Sequence, residues 1–279
     1  MAKILIFGKG FIGKRIQEEL HCEISDKHIT CLKDIESEID KFKPEIIINC
    51  IGTTGKIGGN VDDLEEIKDK ALFSNSLIPI MMAEVSLRRN IKLIHLSSGC
   101  IFHYDYKNQS PITEEQEGDF FDLFYSRTKI YSEQALKILS KKYDILILRI
   151  RIPLDNRPNP KNILDKLLAY KKIINIPNSI TYIPSFTEAL KHLIKIDATG
   201  IYNVVNKDSL KYSKLLDIYK KYKPEFEYQI IGLDELYTKI KGKRTNILLS
   251  VEKLEKTGFK MPSIYDILEE CVRTYLKNA

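Results

Sequence analysis

The chain has 279 residues, of which 43% are hydrophobic and 29% charged, with a formal net charge of +6. That length buries a sizeable core, either as one large unit or as a main domain with a smaller companion, and the composition excludes a disordered chain. The positive charge comes from scattered lysines ("KKYKPEFEY", "KIKGKR") rather than one dense block, which argues against a nucleic-acid surface and suits a phosphate-bearing small molecule.

Five cysteines (Cys22, Cys31, Cys50, Cys100 and Cys271) are odd in number and form no Cys-x-x-Cys pair, so neither a disulfide framework nor a metal site is indicated. The apolar run in "MAKILIFGKG" is too short for a signal peptide, and no later run approaches the roughly eighteen apolar residues of a membrane span. A cytoplasmic location is the expectation.

In chain order, "KILIF", "EIIINCIG", "IKLIHLSS" and "DILILRIRI" are near-continuous apolar runs, the habit of strands buried on both faces of a parallel sheet. Between them "IGKRIQEEL", "SNSLIPIMMAEVSLRRN" and "YSRTKIYSEQALKILSKKY" carry apolar residues at helical spacing, and Pro79 either kinks the second of these or marks its first turn. The fold class is therefore α/β, a Rossmann-type doubly wound parallel sheet. After "RIRIP" the proline-rich "LDNRPNPKN" reads as a loop into a smaller α/β lobe, with helix, strand, helix and strand over "ILDKLLAYKK", "IINIP", "FTEALKHLIKI" and "IYNVVN". The expected domains are 1–152 for the sheet and 153–279 for the lobe, with about 180–206 returning to the first.

Gly8, Gly10 and Gly13 form a Gly-x-Gly-x-x-Gly between the first strand and a helix. The first permits a tight turn, the second lets backbone approach a pyrophosphate, and the third lets helix and strand pack closely, with the helix amides facing the phosphates. Asp26, at the expected end of the second strand, is placed for the ribose hydroxyls of NAD. Ser25, Lys27 and His28 could instead hold the extra phosphate of NADP. Further on, Tyr125 and Lys129 stand four apart on one helical face, where an ammonium stabilises a phenolate, and Ser98 ends the fourth strand beside them. By strand alternation Cys100 lies on the same side as Ser98.

These residues together resemble the extended short-chain dehydrogenase/reductase superfamily. The stretches "CIFHYD", "LRIRIP", "NPKNIL", "YKKIINIPNSIT" and "GIYNVVN" narrow the likeness to the bifunctional UDP-4-keto-6-deoxyglucose 3,5-epimerase/4-reductases of UDP-rhamnose synthesis, related to dTDP-4-dehydrorhamnose reductases. The resemblance implies an NADPH-dependent reductase that also epimerises a UDP-sugar, with NAD as the alternative cofactor. Ser98, Tyr125 and Lys129 would reduce the ketone, while Cys100 and Lys172 would exchange protons at carbons 5 and 3. It extends the cofactor site to Phe11, Ile12, Cys50, Gly52 and Asn75, and the substrate site to Lys56, Asn159, Lys161, Asn162, Asn178 and Arg244. It also implies a homodimer.

Other readings stay open. Cys100 serves equally as a small hydrophobe, Lys172 as a solvated lysine and the asparagines as turn residues. The alternatives in function are reduction alone, another 4-keto nucleotide sugar, or a cofactor-binding regulatory subunit without turnover.

Overall fold

The computed structural model describes residues 2–55, 59–104, 110–240 and 242–279. Strands β1 (Ile4–Phe7), β2 (Glu23–Ser25), β3 (Ile46–Asn49), β4 (Lys92–Ser98) and β5 (Ile145–Ile150) alternate with helices α1 (Phe11–Leu20), α2 (Leu32–Phe42), α3 (Lys68–Leu72), α4 (Ile78–Arg89) and α5 (Phe124–Leu139). Then follow β6 (Pro153–Leu154), α6 (Ile163–Ala169), β7 (Lys172–Ile174), β8 (Thr181–Tyr182), α7 (Ile183–Lys195) and β9 (Gly200–Asn203). The chain ends with α8 (Tyr212–Tyr222), β10 (Gln229–Ile231), α9 (Leu233–Tyr237), α10 (Glu252–Glu255) and α11 (Ile264–Asn278). Among the described residues no helix is long and apolar enough to cross a membrane.

The first of two compact units comprises Met1–Ile101, Gly118–Arg149 and Leu190–Tyr202, and the second Phe102–Glu117, Ile150–Ala189 and Asn203–Ala279. This division differs from a boundary at residue 152. Residues 102–117 belong with the second unit because their backbone pairs there: Ile112 N–H donates to Leu248 O at 2.7 Å, and Ser250 N–H to Ile112 O at 2.8 Å. The returning segment is shorter than 180–206, since Thr181 N–H donates to Arg151 O and Asn206 N–H to Ile180 O within the second unit.

In the first unit the sheet order is β2-β1-β3-β4-β5-β9. Strand β1 runs parallel to both β2 and β3, and β3 runs parallel to β4. Every residue of β3 and β4 is buried, as suits central strands covered on both faces, and the polar Asn49, Lys92, His95, Ser97 and Ser98 are buried among their apolar neighbours. Leu5, Phe7, Ile47, Leu93 and Ile147 from the strands pack with Met82 of α4 in the main core. Because β1 has its two successors on opposite sides, the strand order reverses there, and the crevice beyond the carboxyl ends of β1 and β3 is where such sheets bind ligands.

The glycine turn sits at that crevice. Gly8 has φ +104°, and a Cβ there would lie 2.6 Å from the Cys50 carbonyl carbon. A Cβ on Gly13 would stand 2.0 Å from Gly8 O, so α1 and β1 approach too closely for any side chain. Gly10, the residue before α1, differs: nothing lies within 4 Å of its added Cβ.

The second unit holds two short parallel pairs, β10 with β7 and β6 with β8. Its core joins Leu164 and Leu167 of α6, Leu215 and Leu216 of α8, and Ile264 and Leu268 of α11.

Gly13→Ala should cost about 1–3 kcal/mol of stability through overpacking. Gly10→Ala, at a helix cap with open space, should cost less than about 1 kcal/mol. Urea unfolding of the two variants checks the contrast.

Candidate active site

Four local structures converge at the carboxyl end of the first unit's sheet. Helix α5 supplies Tyr125 and Lys129, both buried. Lys129 Nζ donates to Leu96 O on β4 at 3.2 Å, and a Cβ on Gly52 would stand 3.5 Å from it, an ordinary contact, and 3.1 Å from Asn75 Oδ1, the tighter of the two.

Asn75 comes from an irregular stretch. Pro79 lies in the first turn of α4 and has no N–H to offer the Asn75 carbonyl four residues earlier, and Phe73–Leu77 widen into a π-helical turn. The turn presents Asn75, fully buried, whose Oδ1 accepts from Thr53 N–H at 2.8 Å. Its Nδ2 donates to Thr53 O at 3.1 Å and to Thr128 Oγ1 at 3.2 Å, tying the loop after β3 to α5. Pro79 thus marks a first turn, and the proline's missing donor goes with the widened turn that delivers Asn75.

Strand β4 stops at Ser98, so alternation does not carry on to Cys100, and this corrects the sequence expectation. Cys100 lies in a turn instead, where its N–H donates to Ser98 Oγ at 3.1 Å and its carbonyl accepts from Ser126 Oγ at 2.5 Å. Cys100 packs against the cluster of Leu64, Ala71 and Tyr125. Among the described residues the Ser98 hydroxyl accepts one bond and donates none, leaving its proton for a ligand oxygen.

Burial pulls the Lys129 ammonium from 10.5 down to about 8, and the Glu133 carboxylate one helical turn on opposes part of that shift. Burial likewise pushes the Cys50 thiol above its ordinary range. His95, the β4 residue level with Asn49 on β3, is held neutral by burial, with the Lys129 charge adding to the effect.

The residues at the glycine turn fit a dinucleotide. Gly10 leaves open space at the amino end of α1, whose first turn holds no acidic residue to compete for the free amides, and Phe11 and Ile12 begin that helix. Asp26 is exposed and paired with Lys9 Nζ at 2.5 Å, which holds the carboxyl below its usual range. Lys9 was not among the expected ligands, although its place inside the glycine motif is the signal that would have found it. Ser25 Oγ donates to Glu38 Oε2 at 2.6 Å and accepts from Lys27 N–H at 3.1 Å, so its proton is already engaged. Lys27 Nζ pairs with Asp34 at 3.4 Å.

The remaining expected residues belong to the second unit, except Lys56, which lies outside the described residues. Lys172, on β7, is exposed and ion-paired to Glu235 at 2.8 Å, which raises its ammonium above the ordinary lysine value. Asn162 is fully buried. Its Oδ1 accepts from Asp155 N–H and Leu164 N–H at 3.2 Å each, while Nδ2 donates to Asp155 O at 2.9 Å and Arg157 O at 3.0 Å. That exhausts its hydrogen-bonding capacity, so the expected ligand contact from this side chain is corrected to a helix cap.

Asn178 is similarly engaged: Arg151 Nε and Ile247 N–H donate to its Oδ1, and its Nδ2 donates to Asn246 Oδ1. Asn159 accepts from Lys161 N–H at 2.9 Å, Lys161 is exposed, and Arg244 Nη1 donates to Gly242 O at 3.0 Å.

The family model for the RmlD substrate binding domain matches residues 2–214. The chain belongs to that family. It is 29% identical over 97% of its length to a trifunctional UDP-glucose 4,6-dehydratase/UDP-4-keto-6-deoxy-D-glucose 3,5-epimerase/UDP-4-keto-L-rhamnose-reductase of Arabidopsis thaliana, and it spans 41% of that relative. A bifunctional dTDP-4-dehydrorhamnose 3,5-epimerase/dTDP-4-dehydrorhamnose reductase from the same plant is 29% identical, with 96% of this chain and 91% of the relative covered.

Among solved structures, the UDP-rhamnose synthase of Acanthamoeba polyphaga mimivirus superposes with a TM-score of 0.90 at 26% identity, covering 98% of this chain and 99% of that one. The dTDP-4-dehydrorhamnose reductase of Bacillus anthracis, solved in complex with NADP, has a TM-score of 0.82 at 21% identity, with 100% and 99% covered, a likeness of fold.

The depressed Lys129 value has a stability consequence whose sign is fixed. Between about 8 and 10.5 the unfolded chain binds more protons at this site than the folded one, so its destabilising effect is complete below about pH 8 and fades toward pH 10.5. Lys129→Met should therefore unfold at an equal or higher temperature than the parent near neutrality, with the advantage shrinking as pH rises through that window. Paired thermal melts across pH check this.

Proposed function

We propose that this chain reduces the 4-keto group of a 4-keto-6-deoxy nucleotide sugar with NADPH, and that the same site epimerises carbons 3 and 5, so that UDP-4-keto-6-deoxy-D-glucose becomes UDP-L-rhamnose. The observation that carries the reading is the meeting of Ser98, Cys100, Tyr125 and Lys129 at one sheet edge, beside the loop that Asn75 holds. Family membership and the names of the plant and viral relatives support it.

When bound, the reduced nicotinamide supplies a hydride for carbon 4. Ser98 donates its unengaged proton to the ketone oxygen. Tyr125 protonates that oxygen as it becomes an alkoxide, and Lys129 favours the tyrosinate that remains. The ketone acidifies the hydrogens on carbons 3 and 5, and Cys100, whose N–H bonds to Ser98 Oγ, is the group proposed to exchange one of them. Arg244, Lys161 and Asn159 are proposed for the diphosphate, and Lys9 joins Ser25, Asp26 and Lys27 at the adenosine ribose, with NADH as the second cofactor.

Reduction without epimerisation is favoured by one observation. Lys172 is held protonated by Glu235, and an ammonium so held yields its proton less readily and offers no free base, which weakens it as a proton-exchanging group. Purified protein with UDP-4-keto-6-deoxy-D-glucose and NADPH should oxidise the cofactor and yield UDP-L-rhamnose. Absence of cofactor oxidation with UDP-, dTDP- and GDP-linked 4-keto sugars would leave only a non-turnover role. Tyr125→Phe should lower kcat by about two to four orders of magnitude. Cys100→Ala should abolish deuterium uptake from solvent at one of the two epimerised carbons, and retention of uptake at both together with unchanged product stereochemistry would remove the epimerase half.

A homodimer is proposed on the exposed apolar side chains of neighbouring helices, Leu77 and Ile80 with Tyr131 and Ile138. Light scattering should give twice the chain mass, and a strict monomer would remove the proposal.

A further inference from the structure

Beneath the site the first unit buries a second charged cluster that the chemistry above does not use. Helix α5 repeats its four-residue spacing once more, so Tyr125, Lys129 and Glu133 follow one another along one face. Glu133 is 4% exposed and Arg149, on β5, is fully buried. Arg149 Nη2 donates to Glu133 Oε1 at 2.7 Å, and its Nε donates to both carboxylate oxygens at 3.1 Å. Ser97, the residue before Ser98 on β4, donates its hydroxyl to Glu133 Oε2 at 2.6 Å. One carboxylate thus joins β4, β5 and α5 directly below the reacting groups.

A buried ion pair alone is weak evidence for anything beyond packing, since apolar residues of similar volume often stabilise as well or better. What distinguishes this one is its neighbour. Lys129 Nζ is buried and donates to a strand carbonyl. His95 on β4 faces it without charge: Asn49 Nδ2 stands 3.2 Å from His95 Nδ1, so Nδ1 is the acceptor and the ring proton sits on Nε2. Among the described residues Cys50 after β3, Cys100 after β4, and Tyr125 and Glu133 on α5 are the other titratable groups around it, and Arg149 of β5 is turned onto Glu133. Of these groups Glu133 is the one carboxylate.

We propose that Glu133 is a positioning residue for Lys129: clamped by Ser97 and Arg149, its carboxylate is the buried counter-charge that keeps the Lys129 side chain cationic beneath Tyr125. Arg149 and Ser97 hold the carboxylate in place through their hydrogen bonds, and the neutral His95 avoids adding a competing cation. The consequence for turnover rests on the reductase reading, but the charge relation holds in the protein without substrate.

The test follows Lys129 directly. Full-length protein labelled with carbon-13 at lysine Cε is titrated by NMR, and the Lys129 signal is identified by its loss in Lys129→Arg. The parent midpoint is expected near 8, and Glu133→Gln should lower it by about one pH unit. The alkaline limb of kcat for the 4-keto sugar should move the same way, a displacement that a merely structural role would not produce. An unchanged Lys129 midpoint in folded Glu133→Gln overturns the proposal. Should that variant fail to fold because Arg149 is left unpaired, Glu133→Gln/Arg149→Met is compared with Arg149→Met, so that the guanidinium is absent from both: a lower midpoint in the double variant supports the proposal and equal midpoints overturn it. A lowered midpoint in a protein whose parent shows no turnover supports the charge relation while removing the reductase reading. Turnover with an unmoved midpoint does the reverse.

Discussion

An ammonium group taken out of water needs compensating charge and dipoles, and the polar interior of the first unit is organised around that need. Lys129 reaches a β4 carbonyl, stands over a glycine that offers no side chain, and has a carboxylate one helical turn away. The elements that meet this requirement are not neighbours in the chain. A loop after β3, a widened turn before α4, the last residues of β4 and the middle of α5 each contribute one part. Asn75 is the joint among them, since its amide bonds both to the loop and to α5.

The same convergence explains why the Ser98 hydroxyl and the Cys100 thiol sit where they do. β4 can continue only while it has strand partners, and it ends at Ser98, after which the Ser98 hydroxyl takes the amide of Cys100. That bond closes a tight turn, fixes the direction in which the cysteine leaves the strand, and occupies a lone pair of Ser98 without engaging its proton. One contact thereby shapes the turn and leaves the Ser98 proton unengaged. The Cys100 carbonyl, bound by Ser126 of α5, secures the turn against the helix that carries Tyr125.

Much of this was legible in the residues. Near-continuous apolar runs identified strands buried on both faces, because a sheet covered by helices on each side admits few polar side chains. The glycine spacing identified the tight turn between β1 and α1, and the steric reason is visible at Gly13, where any Cβ would collide with the Gly8 carbonyl. Asparagines in the second unit were harder to read. Asn162 and Asn178 use their amides on backbone and neighbouring side chains, a commitment invisible in a sequence because an asparagine in a proline-rich loop has the same letters whether it binds a ligand or folds the loop. Lys172 is a similar case, since its pairing with Glu235 joins residues far apart along the chain.

Local pattern therefore determined the fold class, the glycine turn and the four-residue spacing of Tyr125 and Lys129, because each depends on neighbours within one strand or one helical turn. Tertiary structure decided the rest: that Cys100 leaves the strand in a turn, that Asp26 meets Lys9, and that Glu133 with Arg149 and Ser97 stands beneath Lys129. Those outcomes depend on burial and on charges brought together from distant segments. Spacing can place a lysine on a helical face, but whether its ammonium titrates near 8 or above 10 depends on how much water the folded chain removes and which carboxylate replaces it.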